Sequence, residues 1–192
     1  MPTSPPAPGE RTLQATGARR AAPGVPTAEE IVRKIRTSNP GEGPFIALFD
    51  ARSIGGERHL LSAWAHLGRA RSRNETRLRD RSAEFALYVA GDDQLPRALG
   101  KVGVGPTTEE FVVVAERPRD LAATLGEFGL VSAPGLYPRP PRRETLERLG
   151  IPPEEYSLLP EGSWEGLVLE RVAFVELSAA HANPPSKPTK KA

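Results

Sequence analysis

The chain has 192 residues, which fits a single domain with tails, since one domain takes about 100–200 residues. It has no cysteine, which excludes disulfide frameworks, thiolate metal sites and cysteine nucleophiles, and no apolar run approaches the roughly 20 residues that span a bilayer. The 26 basic and 24 acidic side chains nearly cancel, which argues against a protein that binds polyanions over its whole surface. We therefore expect a soluble cytoplasmic protein without a membrane segment.

The two ends of the chain differ in composition from its middle. Residues 1–9 hold four prolines and no charged side chain, and residues 179–192 hold three prolines and three lysines. Neither end has enough apolar surface to bury, so both are predicted to be disordered tails around a single domain at residues 10–178. Arginine outnumbers lysine 21 to 5, which GC-rich codons explain at least as well as phosphate binding does.

The first predicted elements are a helix and a buried strand. Thr27 and Glu30 have the spacing of a capping box, and apolar residues then recur at helical spacing, which predicts a helix over 28–37. Residues 44–50 are a short continuous apolar run, which is typical of a strand buried on both faces. We expect this strand in the centre of the sheet.

Three consecutive helices are predicted next, because the apolar residues change to a period of 3.6. Their apolar stripes are Leu60, Leu61, Trp64 and Leu67; then Leu78, Phe85, Ala86 and Val89; then Leu95, Ala98, Leu99 and Val102. Gly91 is expected to end the second helix, and Asp92 or Asp93 to cap the third, which has Pro96 in its first turn.

The remaining elements alternate in type. We predict a buried strand at 111–114, a helix at 118–128, small helices at 144–149 and 154–158, and a closing strand at 167–177. One strand, a block of helices and further strands do not make a regular βαβ repeat. The predicted fold class is therefore α+β: a small mixed, largely antiparallel sheet packed against a block of consecutive helices.

The densest charge in the sequence lies between Arg69 and Arg81, where six arginines stand against two acidic residues. Residues 72–74 interrupt the helical pattern, which predicts a helix–turn–helix corner with Asn74 capping the second helix. Arginines on both sides of such a corner can bind phosphates or stack on unpaired bases. The alternative is a solvated polar helix face with ion pairs one turn apart and no ligand.

Other candidate groups favour structural roles. His59 and His66 are seven residues apart, too far for the usual metal pair on one helix, so no metal is expected. The glycine-rich segment 100–106 follows a helix, unlike a phosphate-binding loop, and indicates a helix end. Three aromatic residues could stack on bases, but their positions on apolar stripes favour the core. They are Trp64, Phe85 and Tyr88.

No Ser-His-Asp set is evident either, and no cofactor, small-molecule substrate or enzyme activity is expected. An enzyme acting on a small ligand would need a convergent polar pocket, for which the sequence supplies no residue set.

Three stretches in this order resemble the small-subunit family of the KEOPS complex, known as the CGI one-two-one or TPRKB (PRPK-binding protein) family, in its archaeal form. They are FDARSIGGERHLLSAWAHLGRA, NETRLRDRSAEFALYVAGDDQLPRALGKVGV and EEFVVVA. The matching residues, in order, are Glu57, His59, Leu60, Leu61, Asn74, Gly91, Gln94, Leu95, Ala98, Gly103 and Val104. The resemblance covers residues 10–177 and also implies that residues 11–17 pair into the sheet.

The resemblance implies a non-catalytic accessory subunit. Its family binds the atypical kinase/ATPase subunit of KEOPS, supports formation of threonylcarbamoyladenosine in tRNA, and resembles a module that holds the single-stranded acceptor end of tRNA. The expected kinase contact is an exposed apolar stretch on the helical block. The expected RNA-facing residues are Arg69, Arg73, Asn74, Arg77, Gly91, Gln94 and Arg97.

One departure from the family pattern leaves an alternative open. Asp92 and Asp93 stand where the family often has basic residues, and they place negative charge beside the expected RNA surface. Either Arg77, Arg79 and Arg97 offset this charge, or RNA binding is weak. The alternative function is a kinase-docking regulatory protein that does not bind RNA directly.

Overall fold

The computed structural model describes residues 13–22, 26–27, 29–31, 33–34 and 45–182. The expected tail at 1–9 and the last ten residues of the expected tail at 179–192 lie outside these described residues. Within the described part, no helix is both long enough and apolar enough to cross a membrane.

A four-stranded antiparallel sheet forms the centre of the fold, with strand order β2-β3-β1-β4. The strands are β1 Gln14–Arg20, β2 Ile46–Asp50, β3 Glu110–Ala115 and β4 Leu130–Ser132. The fold is a single α+β domain, as predicted. All pairs in the described sheet are antiparallel, so it is not mixed, and β1 extends beyond the expected 11–17.

The helices are α1 Glu57–Ser72, α2 Arg81–Ala90, α3 Leu95–Val102, α4 Pro118–Glu127, α5 Arg143–Arg148, α6 Pro153–Tyr156 and α7 Trp164–Ala182. Short 3-10 turns lie at Ala51–Ser53, Pro134–Leu136 and Glu161–Ser163. The three consecutive helices, the helix near 118–128 and the two small helices are confirmed. The predicted helix at 28–37 is partly described: residues 29–31 and 33–34 are helical, and the Thr27–Glu30 capping box is present.

The sheet separates two apolar cores. Alternate residues of β3 face opposite sides: Val112 and Val114 join a core with α1, α2, α3 and α7, whereas Phe111, Val113 and Ala115 join a core with Phe128 at the end of α4. Both faces of β3 are therefore covered, and its side chains form the middle of each core.

The expectation that the strand at 44–50 lies in the centre is wrong. β2 is an edge strand, and β3 takes the central position between β1 and β2. Burial of β2 on both faces was predicted correctly, because helices cover both sides of the sheet. The first turn of α2 also covers the edge, since Ser82 Oγ donates a hydrogen bond of 2.7 Å to the Ile46 carbonyl.

The predicted closing strand at 167–177 is also wrong, because this segment lies within α7. The buried residues of α7 are Trp164, Val168, Val172 and Val175, at helical spacings of four, four and three. Packing of this helix on the core that contains Val112 and Val114 overrides the strand preference of its valine and phenylalanine residues. The helix continues to Ala182, four residues beyond the expected domain boundary.

Candidate nucleic-acid interface

The arginine-rich segment forms the predicted corner between α1 and α2. The helix α1 ends at Ser72, and Asn74 has a left-handed backbone with φ of 57°. Asparagine tolerates this conformation better than most residues, because its short polar side chain can bond locally. We call residues 69–81 the arginine corner. The predicted helix break at 72–74 is confirmed.

Asn74 does not cap α2, contrary to the prediction. Asp80 has this role, and its Oδ1 accepts hydrogen bonds from the Ser82 and Ala83 N–H groups at 2.8 and 2.9 Å. The cap lies six residues further along the chain because an irregular segment separates the two helices.

A buried carboxylate fixes that irregular segment. The Glu84 side chain, 1% exposed, accepts hydrogen bonds from the backbone N–H groups of Arg77 at 3.2 Å and Leu78 at 2.9 Å. The buried carboxylate therefore fixes the backbone of the connection between the helices at Arg77 and Leu78. Sequence reasoning missed this residue, because a glutamate on a helix gives no signal of burial.

Two of the expected RNA-facing arginines converge on one acid of α7. Arg69 Nε lies 3.4 Å from Glu176 Oε1, and Arg73 Nη1 lies 3.9 Å from the same oxygen. Both guanidinium groups remain about half exposed, at 43% and 56%. His66 Nδ1 lies 2.7 Å from Glu176 Oε2. We call these four residues the Glu176 cluster.

The other arginines of the corner differ in environment. Arg77 Nη2 donates a hydrogen bond of 2.8 Å to the Val175 carbonyl of α7. Arg81 is largely buried, pairs with Glu116 and lies over the rings of Phe45 and Trp64 at 5.3 and 5.7 Å, so it belongs to the core.

Arg71 and Arg79 are the most available cations of the corner. Both are exposed, and neither has an ion pair with another residue in the described part of the chain. Neither was among the expected RNA-facing residues. Among the described residues, the corner therefore presents Arg71 and Arg79 without an ion pair, Arg69 paired with Glu176, and Arg73 at 3.9 Å from both Glu176 and Glu75.

The expected RNA-facing residues at the start of α3 lie in a different setting. Gly91 ends α2 in a left-handed conformation with φ of 60°, as predicted. A Cβ at this position would lie 2.7 Å from Arg171 Cβ and 2.8 Å from the Arg171 carbonyl oxygen. Gly91 therefore allows α2 to approach α7 closely. A side chain at this position would point toward α7 and not toward the surface of the corner.

Asp92 and Asp93 are largely neutralised by local cations. Asp92 is buried and pairs with Arg97 Nε at 3.0 Å and Lys101 Nζ at 3.1 Å, while Arg97 Nη2 also pairs with Asp93 at 3.0 Å. Burial raises the pKa of Asp92, but hydrogen bonds from the Gln94 N–H, Lys101 and Arg97 outweigh it, and the net pKa is lowered. Arg97 is thus engaged by its own neighbours.

The N-cap of α3 is Gln94, not Asp92 or Asp93 as predicted. Asp92 still accepts the Gln94 N–H at 3.0 Å, so its carboxylate supports the helix start from two residues before the cap. Gln94 itself is exposed and is the expected RNA-facing residue that remains open in this part of the chain.

Both histidines of α1 have structural partners. His59 is fully buried; its Nδ1 accepts from the Gly55 N–H at 3.0 Å and its Nε2 lies 2.8 Å from the Val89 carbonyl. Burial lowers the pKa of His59 to about 4, so the ring is neutral at pH 7 and donates to that carbonyl. His66 stacks on Tyr88, with ring centroids 5.9 Å apart.

The aromatic side chains of the helical stripes lie in the core, as favoured by the sequence. Phe85 and Tyr88 are at most 4% exposed, and Trp64 packs on Phe45 and Phe85 with ring centroids 4.8 and 5.8 Å apart. The glycine-rich segment at 100–106 contains the end of α3 at Val102, also as predicted. Phe85 and Tyr88 are therefore not available as a platform for bases, and Trp64 is partly buried against the same core.

A second carboxylate cluster, which the sequence did not reveal, lies at the other end of β2. The Asp50 side chain, 1% exposed, accepts hydrogen bonds of 2.7 Å from Arg52 and from Arg148, and one of 3.0 Å from the Thr108 hydroxyl. Burial raises the pKa of Asp50, but the hydrogen bonds from Arg52 and Arg148 outweigh it and lower the pKa to about 2. We call these four residues the Asp50 cluster.

Among the residues for which the structure gives positions, no three histidine or acidic side chains are grouped as a metal site. No family model matches the chain, and no curated protein sequence matches it significantly.

Proposed function

We propose that this protein is a non-catalytic accessory subunit of the KEOPS tRNA threonylcarbamoyladenosine-modifying complex. It recruits tRNA through the single-stranded acceptor end and binds the kinase/ATPase subunit. The observation that carries the proposal is the arginine corner, where Arg71, Arg73 and Arg79 are exposed and a buried glutamate holds the backbone at Arg77 and Leu78. Outside the corner, residues 10–178 carry 17 basic and 22 acidic side chains, so the positive charge is confined to the corner and is not part of a general polyanion site.

The chemistry of the corner suits an unpaired strand. Guanidinium groups bind phosphate oxygens through two parallel hydrogen bonds, and they also stack on unpaired bases. Asn74 projects from a left-handed turn between the arginines and offers both a donor and an acceptor to a base edge. The proposed RNA-facing set is accordingly centred on Arg69, Arg71, Arg73, Asn74 and Arg79, and the expected residues Gln94 and Arg97 lie beyond the other end of α2 from the corner.

The decisive experiment compares whole tRNA with tRNA trimmed of its single-stranded acceptor end in a gel-shift series at fixed salt. We expect tighter binding of the whole tRNA. The double variant Arg71→Gln/Arg79→Gln should weaken binding and reduce the salt dependence by about 0.7 log–log slope for each lost contact to a single strand. Equal affinity for both tRNAs would exclude recognition of the acceptor end.

A matched control exists at the other end of the domain. Arg142 and Arg143 are also exposed, have no ion pair with another described residue, and lie at the start of α5, which packs on the Ala51–Ser53 turn beyond β2. The variant Arg142→Gln/Arg143→Gln removes the same charge from a different surface. Equal losses in the two double variants would show that binding is not confined to the corner.

The kinase-binding half of the proposal has a separate test. Phe174 and Leu177 of α7 are each 56% exposed, and exposed apolar side chains on a helix are typical of protein interfaces. We expect Phe174→Ser/Leu177→Ser to abolish copurification with the kinase subunit while the protein stays folded. Retained copurification would place the kinase contact elsewhere.

The alternative function, kinase docking without direct RNA binding, is favoured by a specific observation. Arg77 is bonded to the Val175 carbonyl, Arg81 is in the core, and Arg97 is paired with Asp92 and Asp93, so part of the basic segment is engaged within the molecule. Copurification with the kinase subunit, together with no shift of any tRNA at low salt, would favour this alternative.

A further inference from the structure

The Glu176 carboxylate lies where a nucleic-acid phosphate would have to lie to contact Arg69 and Arg73 together. Arg69 lies in the last turn of α1 and Arg73 is the C-cap of that helix, and both approach the same oxygen of Glu176, at 3.4 and 3.9 Å. Arg73 Nη1 also lies 3.9 Å from Glu75 Oε2, an exposed acid of the corner itself. A carboxylate and a phosphate present similar paired oxygens to guanidinium groups. We propose that Glu176 is an intramolecular competitor of RNA, which occupies this pair of arginines until a phosphate displaces it. This inference rests on the proposed RNA-binding function and concerns its regulation.

The environment of the cluster allows such an exchange. Glu176 is 28% exposed and both arginines are about half exposed, so water and a ligand can reach all three groups. Ion pairs of this kind are weak, because solvent screens them and long side chains lose freedom when they pair. A phosphate can therefore replace the carboxylate without uncovering a buried charge.

Glu176 keeps a partner when the arginines leave. Its Oε2 lies 2.7 Å from His66 Nδ1, and His66 is held in turn by its stacking on Tyr88 of α2. The carboxylate thus retains one contact in the α1–α7 junction after exchange. Arg77 and Arg81 cannot take part in the same way, because Arg81 is held in the core with Glu116 and Arg77 binds a backbone carbonyl.

The competitor comes from a different part of the chain than the arginines that it holds. Glu176 belongs to α7, which also contacts α2 through Gly91 and Arg171. A displacement of the last part of α7, for example by a protein bound to its exposed Phe174 and Leu177, would change how strongly Glu176 competes. Binding of a partner to α7 is in this way coupled to RNA affinity at the corner.

The test is the variant Glu176→Gln, with Glu165→Gln as its matched control. Glu165 lies on the same helix, is 31% exposed and pairs with Arg58 of α1 at 2.9 Å, so the control removes the same charge from an equivalent ion pair at the other end of α7. The probe is a fluorescent single-stranded RNA ending in CCA, with binding followed by anisotropy at one fixed salt concentration. We expect Glu176→Gln to bind about three- to tenfold more tightly than the wild type, and Glu165→Gln to bind like the wild type.

A second variant tests whether a change in RNA affinity comes from the lost charge and not from a loss of folding stability. Glu176→Asp keeps the charge but shortens the side chain, so its affinity should lie between those of the wild type and Glu176→Gln, and thermal unfolding shows that each variant is folded. If the wild type binds the RNA and Glu176→Gln binds it equally well or more weakly, the inference is wrong and the proposed function still stands. Absence of binding by every folded variant would overturn both the inference and the proposed RNA recruitment.

Discussion

The Asp50 cluster and the Glu176 cluster have the same central composition, one carboxylate between two arginines, and differ in their surroundings. The Asp50 side chain is 1% exposed with both arginines at 2.7 Å, whereas that of Glu176 is 28% exposed with arginines at 3.4 and 3.9 Å. A buried carboxylate cannot lose its partners without a large cost, and a partly exposed one can. Burial, more than residue type, therefore separates a structural cluster from one that can exchange partners.

Removal of the Asp50 carboxylate should destabilise the protein more than any other change considered for these two clusters. Asp50→Asn leaves Arg52 and Arg148 without their shared carboxylate, and we expect it to lower the free energy of unfolding by about 3 kcal/mol, measured by urea denaturation. Glu144→Gln is the control, because Glu144 is an exposed acid 3.5 Å from the same Arg52 and should cost less than about 0.5 kcal/mol. Similar losses in the two variants would mean that burial does not distinguish these contacts.

A smaller effect appears on acidification. The pKa of Asp50 is about 2 in the folded protein and lies below the ordinary value of 3.8, so the unfolded chain binds the proton more readily. The stabilisation from this carboxylate is complete above about pH 5 and is lost as the pH falls from 4 to 2, and it amounts to about 2 kcal/mol. Urea denaturation at both ends of this range should show the loss in the wild type. Asp50→Asn should lack this component of the pH dependence.

The smallest effect concerns the exposed cluster. Glu176→Gln should change the free energy of unfolding by less than about 1 kcal/mol, because its ion pairs are partly exposed. Burial and the charge of Arg69 lower the pKa of His66, whereas Glu176 raises it, so removal of the carboxylate should lower this pKa further. An NMR titration of the His66 ring measures the change. An unchanged His66 pKa would show that the Glu176 contact does not persist in solution.

The sequence predicted much of the helical block. The apolar stripes located α1, α2 and α3, and the valine run at 111–114 located the central strand, because these elements bury one face or both against their neighbours. The failure at α7 has a physical cause. Val172 and Val175 favour strands in isolation, and the burial of Trp164 and Val168 on the same face decides for a helix.

The arginine corner was predictable in position but not in its partners. A break in the helical pattern at 72–74 was visible in the residues, whereas Glu176 is 107 residues from Arg69, and no spacing rule connects them. The same holds for Arg81, because its partner Glu116 follows it by 35 residues in the sequence, after the end of α3. Local pattern therefore indicates where charges gather, and tertiary contacts decide which charges remain available.

The pairing of α1 with α7 has a consequence for how the molecule assembles. Arg58 meets Glu165 and Arg69 meets Glu176, with the same offset of 107 residues, so the two helices run in the same direction and their approach closes a long loop. Closing a loop of 107 residues is slow compared with forming a helix. The contacts between α1 and α7 form only after the segment that connects the two helices has become compact. We expect α7 to dock late in folding, after the sheet and α1 to α3 have formed, so that hydrogen exchange in its backbone reports the final step of assembly.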